Sequence, residues 1–319
     1  MISTAKRIVK RTLELGHSAT SILDARFLNR DIQLQFPPVF IVGVPRSGTT
    51  LLYQLMMSAF KFAYIPNAAN TWYQCPISAT RWALRWCQPY ESSFSSTHGY
   101  EQGCLAPSEA GNIWNRWFPY EKREGFNYTP AGWLSESAQS EIYRFIAHIE
   151  QLFDAPFLTK NVKMSVRIPA LREMFPNALF IHISRDPLDA ALSLLVVRRK
   201  NNKEWWSVLP KEFDELEALP ELEQVCKQVY YTQQNIVIDL KGIPNRVSSL
   251  PYATVCQQPH QTINELAQFF ERAGINLKPD LSDTPESFPV SIPKIQNIVS
   301  QSEVTEMSQM LDDLFGSSS

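Results

Sequence analysis

The chain has 319 residues, enough for one large α/β domain or two small ones. Lys and Arg number 30 against 32 Asp and Glu, a net charge of −2. This balance argues against a protein that coats a polyanion, so nucleic acid is not expected as a partner, although a local basic pocket stays open. Hydrophobic residues make up 44% of the chain, which suits a sizeable core, yet no run approaches the ~18–20 apolar residues of a membrane span.

The N-terminus lacks the apolar core of a signal peptide, and a cytoplasmic protein is the expectation. Five cysteines (75, 87, 104, 226 and 256) are odd in number and widely spaced. They suggest neither a disulfide framework nor a zinc site, which fits a reducing compartment. The five histidines are not paired at metal spacing.

Residues 3 to 16 read as a basic amphipathic helix, with Ile8, Val9, Leu13 and Leu15 beside Lys6, Arg7, Lys10 and Arg11. Such a helix either lies on a membrane surface or packs as an ordinary surface helix, the plainer reading. A second short helix is expected over residues 18–28, and Pro37-Pro38 ends this part.

The apolar run Val39 to Val42 then reads as a buried parallel strand. A loop follows from Gly43 to Gly48, and Thr49 begins a helix whose apolar face looks back at the sheet. Strand, loop and helix together aim backbone N–H groups and the positive helix end at one point, where an anion binds. Ser47, Thr49 and Thr50 add hydroxyls. The spacing Gly43-x-x-x-x-Gly48 matches the start of a Walker A loop, but Thr49 stands where a nucleotide triphosphatase needs Lys. The cation of this loop is Arg46, three residues earlier.

Residues 65 to 120 are dense in aromatic residues, among them Trp72, Trp82, Trp86, Trp114, Trp117 and Phe118. Long aromatic connections of this kind build substrate walls, and Trp114 is a candidate for acceptor contact. Two residues here can act as a general base, His98 and Glu109. Each has a plainer use: a loop histidine bonded to backbone, or a carboxylate at a helix start.

Residues 135–153 show a helical period in Ile142, Phe145, Ile146, Ile149 and Phe153. A short strand, Phe157 to Asn161, carries Lys160 near its end, a position where ligands gather in parallel sheets. Residues 168–174 read as a helix. Residues 178–184 read as a second buried strand that runs into Arg185-Asp186-Pro187. Asp186 is a good N-cap and Pro187 a good first-turn residue. Ser193 lies eight residues after Arg185, two turns up the new helix, so both can grip one anion. Arg198, Arg199 and Lys200 read as a solvated helix end. A long helix is expected over 221–240, and a last strand over 247–255 that contains Tyr252, with Pro251 favouring a sheet edge. A helix over 261–273 and an extended stretch over 277–294 follow. Residues 300–315 then form a helix opened by a Ser300/Glu303 capping box. The alternation of strand and helix suggests one α/β domain with parallel strands.

Two anion sites at successive strand tips call for a ligand with two anionic ends. Val44-Pro45-Arg46-Ser47-Gly48-Thr49-Thr50, the stretch Phe175-Pro176-Asn177-Ala178 through Arg185-Asp186-Pro187, Ser193, and Pro107-Ser108-Glu109 together resemble the sulfotransferases that use 3′-phosphoadenosine-5′-phosphosulfate (PAPS), in their bacterial branch. The resemblance covers residues 38 to 275 and is weak over 55 to 155. It implies a P-loop-like three-layer α/β/α fold with a central, mainly parallel sheet. It implies a single domain over 1–319, with a helical extension (1–30), an acceptor-binding insertion (60–135) and a C-terminal extension (277–319).

By the same resemblance, Pro45, Arg46, Ser47, Gly48, Thr49 and Thr50 hold the 5′-phosphosulfate, and Arg185 and Ser193 hold the 3′-phosphate. Arg46 also stabilises the leaving group, Glu109 leads His98 as base, and Lys160 helps to hold the sulfonate. The product is PAP. No metal is called for, because the arginines and amides supply the positive field, and ATP should bind poorly. The implied acceptor is a hydroxyl of a glycan or glycolipid, with peripheral membrane contact open through the N-terminal helix. The sequence departs from many cytosolic members in carrying Arg46 where they have Lys, and in lacking their glycine-rich loop on the 3′-phosphate. Lys294 or the pair Arg198 and Arg199 are the substitutes to consider, and Trp205, Trp206 and Tyr252 the candidates to stack on adenine. A P-loop kinase using ATP and a catalytically silent nucleotide-binding protein are the alternatives.

Overall fold

A computed structural model describes residues 21–28, 30–94, 101–118 and 128–316. The amphipathic stretch 3–16 and His98 lie outside these residues.

In chain order, a helical run at 21–28 is followed by β1 (Val39–Val42) and α1 (Thr49–Ala59). Next come α2 (Asn67–Thr71), α3 (Pro76–Trp86), α4 (Gly111–Trp114) and α5 (Glu136–Phe153). Then follow β2 (Leu158–Lys160), α6 (Ile168–Met174), β3 (Leu179–Ser184) and α7 (Pro187–Lys200). The chain closes with α8 (Phe213–Leu216), α9 (Glu221–Leu240), β4 (Val247–Pro251), α10 (Tyr252–Gln257), α11 (Pro259–Arg272) and α12 (Gln301–Gly316). These form two compact units interleaved in sequence.

One unit comprises Pro37–Lys61, Tyr120–Trp133 and Leu158–Ser319. It holds a four-stranded sheet in the order β2-β1-β3-β4, every pair parallel. Every residue of β1 is buried, as a strand covered on both faces requires. Phe40 of β1 stacks on Phe180 of β3 with ring centroids 5.7 Å apart and meets Phe175 at 6.2 Å. β4 lies at the sheet edge, where a proline in a strand is tolerated. The strand ends at Pro251 instead of running to residue 255, and Tyr252 opens α10. Asp186 caps α7 through the amide of Asp189 at 2.9 Å. The capping box of α12 forms in both directions: the Ser300 amide donates to Glu303 at 2.7 Å and the Glu303 amide to Ser300 Oγ at 3.3 Å.

Of the C-terminal basic residues of α7, Lys200 is exposed as expected, but Arg198 and Arg199 are not a solvated helix end. Arg198 is 2% exposed, donates to Gln224 at 2.6 Å and lies over the Trp205 ring at 5.0 Å. Arg199 pairs with Glu221 at 2.9 Å and Glu303 at 2.7 Å and donates to the Ile298 carbonyl. The cause is tertiary: α7 packs against α9 and α12, whose carboxylates and amide meet these side chains.

The other unit comprises Met1–Phe36, Phe62–Pro119 and Leu134–Phe157. Its core helix is α5, capped by Ser135, with Ile142, Phe145, Ile146 and Ile149 buried as its period predicts. Burial raises the Glu150 carboxyl on α5 above its ordinary value, although the amides of Gln35 (2.6 Å) and Phe36 (3.3 Å) donate to it. Trp114, Trp117 and Phe118 are buried, and Trp117 meets Phe145 at 5.6 Å.

Cys87 and Cys104 form a disulfide with 6.4 Å between their Cα atoms, against the expectation of unpaired cysteines. Hydrogen bonds and packing set up this approach. The Ala68 backbone amide donates to the Cys104 carbonyl at 3.0 Å, and the Asn67 side-chain Nδ2 donates to the carbonyls of Glu101 (2.7 Å) and Gly103 (3.0 Å). Ala83 of α3 joins Ala68 and Leu105 in a buried cluster against which Cys87 and Cys104 both pack, so the run that ends α3 meets the run before α4, which spacing alone does not disclose. Cys75, Cys226 and Cys256 are buried and take part in no disulfide. Among the described residues, no helix is long and apolar enough to cross a membrane.

Candidate functional site

β1 has β2 on one side and β3 on the other, so the chain order reverses direction across it. In parallel sheets, ligands collect outside the carboxyl ends of the strands at such a switch. Three strand tips deliver cations there. The loop after Val42 carries Arg46, Lys160 ends β2, and Arg185 follows the last residue of β3. Neighbouring strands lie about 4.8 Å apart, so residues one step past paired positions are neighbours.

The loop itself is tightly built. Gly43 is pinned to Ser165: its amide donates to Ser165 Oγ and its carbonyl accepts from the same hydroxyl, both at 2.9 Å. A Cβ on Gly43 would lie 2.5 Å from Ser47 Oγ and 2.6 Å from the Ile183 carbonyl, so only glycine lets the loop lie this close to β3. The Ser47 amide donates to Val44 at 3.2 Å, which closes the turn. Arg46 sits in the left-handed region at φ 69°, a conformation that costs a non-glycine residue roughly 1–2 kcal/mol. Gly48 follows at φ 97° and leads into α1.

α1 begins with no side-chain cap and no acidic residue in its first turn. Its first amides are thus left to whatever anion meets them. Ser47 Oγ is buried and lacks a hydrogen-bond partner among the described residues. A buried orphan hydroxyl beside uncapped helix amides suits a site whose missing acceptor is an anionic oxygen. Lys160, 2% exposed, donates through Nζ to Thr50 Oγ1 at 2.9 Å. A buried ammonium therefore stands at the start of α1, although the Walker position itself is Thr49.

The second element meets the first directly. Arg185 donates through one terminal nitrogen to the Arg46 carbonyl at 3.0 Å, and Arg46 donates through Nε to Ser193 Oγ at 3.0 Å. Arg185, Arg46 and Ser193 therefore form one cluster on the same side of the sheet. The Arg185 side chain is only 7% exposed. It is held by the Ser291 carbonyl, by Asp189 at 3.5 Å and by the face of Tyr252 at 4.7 Å.

Tyr252 lies beneath both halves. Its ring fills the space where a Cβ of Gly48 would project, and its hydroxyl accepts from the Ser291 amide at 3.2 Å. Burial raises its phenol above the ordinary value, so the hydroxyl stays protonated. Ser291 belongs to the stretch between α11 and α12, which is anchored upstream by the Asp280 amide on the Ala59 carbonyl at 2.8 Å. Lys294 is exposed three residues further on.

Pro45, Arg46, Ser47, Gly48, Thr49, Thr50, Lys160, Arg185 and Ser193 thus occupy one unit at the sheet's carboxyl edge. Glu109 and Trp114 belong to the other unit. Glu109 is half-buried, next to Ala110, the left-handed residue that precedes α4. Trp114 is 0% exposed and packs edge-on against Trp117, so here it is a core ring and offers no face to a ligand. Arg198 and Arg199 are engaged in the packing described above and do not join the cluster as an additional anion grip. Ser165 and Ser291 were not expected. Ser165 carries no motif, and Ser291 lies 106 residues beyond Arg185 in a stretch without regular structure. Tyr252, expected as a stacking surface for adenine, serves here as the floor under Gly48 and Arg185.

A family model described as the sulfotransferase family matches residues 37–274. The omega-hydroxy-beta-dihydromenaquinone-9 sulfotransferases Stf3 of Mycobacterium bovis and Mycobacterium tuberculosis are each 29% identical over 170 residues. Those residues cover 47% of this chain and 42% of theirs, so the match spans less than half the length of these curated relatives. Among solved structures, the sulfotransferase STF9 from Mycobacterium avium aligns over 93% of this chain and 81% of its own, with a TM-score of 0.51 at 15% identity, a likeness of fold. With the strand, loop and helix of residues 39–59 and the Arg185 element both inside the matched range, the chain belongs to the sulfotransferase family.

Proposed function

We propose that this protein moves the sulfuryl group of PAPS to a hydroxyl of an acceptor. The observation that carries the proposal is the convergence of Arg185 and Ser193 on Arg46, which supports reading the adjacent strand tips as two anion grips. PAPS is anionic at both ends of its adenosine, and it supplies the sulfuryl group at its 5′-phosphosulfate. In this reading the amides of residues 47–50, the Ser47 hydroxyl and Lys160 hold the 5′ end. Arg185 and Ser193 hold the 3′-phosphate and so discriminate against ATP.

The residues divide the chemistry between charge and proton. Arg46 stabilises negative charge as it develops on the departing phosphate. A guanidinium has a pKa above ~12, so Arg46 acts by hydrogen bonding and gives up no proton. Glu109 takes the proton of the acceptor hydroxyl, with His98 as the alternative base. Positioning and charge stabilisation carry most of such a transfer, as in phosphoryl transfer.

For the acceptor, we propose a lipid-borne hydroxyl, on a glycolipid or another hydroxylated lipid. The name of the mycobacterial relatives, sulfotransferases of a hydroxylated menaquinone, supports the lipid class. Against a kinase stands Thr49 in place of the Walker lysine. Incubation with labelled PAPS and panels of glycolipids, lipid alcohols, free glycans and phenols tests the proposal. Label transfer to a hydroxylated lipid supports it. Binding of PAP without transfer to any class would mark a silent binder, and transfer only to free glycans or phenols would move the acceptor.

A further inference from the structure

α3 presents two different faces. Pro76, Ile77, Ala79, Thr80 and Ala83 are buried. The opposite face exposes Arg81, Trp82, Leu84, Arg85 and Trp86, with Trp82 56%, Leu84 38% and Trp86 69% accessible. Trp82 and Trp86 are four residues apart, as are Arg81 and Arg85, so each pair stacks along one side of the helix. The Arg85 guanidinium lies over the Trp86 ring at 5.1 Å.

The neighbouring helical run 21–28 continues the pattern. It exposes Ile22 (75%) and Leu23 (51%). Its Phe27 ring gathers three guanidiniums: Arg26 at 4.8 Å, Arg81 at 5.4 Å and Arg30 at 5.8 Å. Asp24 forms no ion pair with them. It is 1% exposed, and its carboxylate accepts from the amides of Ile77 (2.7 Å) and Ser78 (2.9 Å) at the start of α3. Among the described residues, no carboxylate pairs with Arg26, Arg30, Arg81 or Arg85. The surface is therefore apolar and cationic at once.

Charge decides what covers it. The first twenty residues carry Lys6, Arg7, Lys10 and Arg11 against a single acid, Glu14, so they would bring like charge to this face. A second copy of the chain would bring the same arginines. Nucleic acid matches the charge but not Leu84, Ile22 and Leu23, which gain only where an acyl boundary takes them up. We propose that the outer face of α3 docks the protein on an anionic lipid bilayer, with Trp82 and Trp86 at headgroup level and Arg81 and Arg85 on lipid phosphates. The inference rests on this surface alone and requires no catalytic assignment.

Flotation of the full chain with phosphatidylcholine vesicles, with and without phosphatidylglycerol, tests it. Wild type is expected to float with the anionic vesicles at low salt and to remain behind with neutral ones. Arg81→Gln/Arg85→Gln should lower partitioning roughly 25-fold, about fivefold per charge. Trp82→Ser/Trp86→Ser should lower it about tenfold or more. In the unaltered protein, brominated acyl chains should quench tryptophan emission, a readout independent of any variant's folding. The proposal is overturned if neutral vesicles bind equally, or if both double variants float as wild type does. It also fails if only substitution of Lys6, Arg7, Lys10 and Arg11 releases the protein, or if oligonucleotide strips it from anionic vesicles at equal phosphate.

Discussion

Gly48→Ala examines the link between the two proposed anion grips. An ideal Cβ at Gly48 falls 2.3 Å from Tyr252 Cδ2 and 2.6 Å from Cε2. The ring cannot swing aside cheaply, because its hydroxyl holds the Ser291 amide and its face carries Arg185. Two costs therefore add. A left-handed alanine costs roughly 1–2 kcal/mol, and forcing a carbon into a filled space about 1–3 kcal/mol. The sum, about 2–5 kcal/mol, should lower Tm by roughly 5 °C or more in a unit of this size. It should also weaken PAP, because relief of the clash moves either the loop or Arg185. Thermal melts and calorimetry with PAP read both effects. Tyr252→Leu alone should also weaken PAP, since it removes the support beneath Arg185, worth about 0.5–2 kcal/mol as a cation over a ring. The double variant Gly48→Ala/Tyr252→Leu should then be less damaged than the two single losses imply, a coupling of about 1–3 kcal/mol. A single Gly48→Ala variant with wild-type Tm and wild-type PAP affinity would refute the packing of Tyr252 against the loop.

Other variants separate chemistry from packing. Arg46→Ala and Glu109→Ala should each lower turnover by roughly 10²-fold. If Glu109→Ala keeps full activity and His98→Ala is dead, the base is His98. Arg199→Ala should lower Tm through loss of its two carboxylate partners yet leave PAP affinity unchanged, and a large loss of PAP affinity would return it to the site. Burial raises the Asp239 carboxyl to about 6, with Tyr128 as its hydrogen-bond donor at 3.2 Å. The folded state then holds this proton more tightly than the unfolded chain, so the group's contribution to stability falls as pH rises from about 4 to about 6. Asp239→Asn should remove that decline, and melts across this range that run parallel for the two proteins would contradict it.

The sequence makes the loop between β1 and α1 readable because its signals are local. Four apolar residues, two glycines and a helix start lie within a dozen positions. The Arg185 element is readable for the same reason, through strand, cap and proline in succession. Asp186 and the Ser300/Glu303 box fulfil their cap patterns almost atom for atom. What escapes sequence reading depends on tertiary partners. Arg198 looks like a solvated helix end until α9 presents Gln224. Ser291 has no marker, yet its carbonyl and amide tie Arg185 and Tyr252 together. Tyr252 is drawn into a strand by its β-type neighbours, but Pro251 ends the ladder and turns the tyrosine under the glycine loop. The Cys87–Cys104 pairing depends on tertiary packing of both cysteines against Ala68, Ala83 and Leu105, which no cysteine spacing encodes.

The most direct measurement is calorimetry of PAP, AMP and magnesium ATP on wild type and on Arg185→Ala. If the adjacent strand tips grip both ends of an adenosine bisphosphate, wild type binds PAP tenfold or more tighter than AMP, about the worth of one charge-assisted contact. Arg185→Ala then erases most of that gap and leaves AMP affinity nearly unchanged. Tighter binding of magnesium ATP than of PAP, or an undiminished preference for PAP in Arg185→Ala, would contradict the two-grip site.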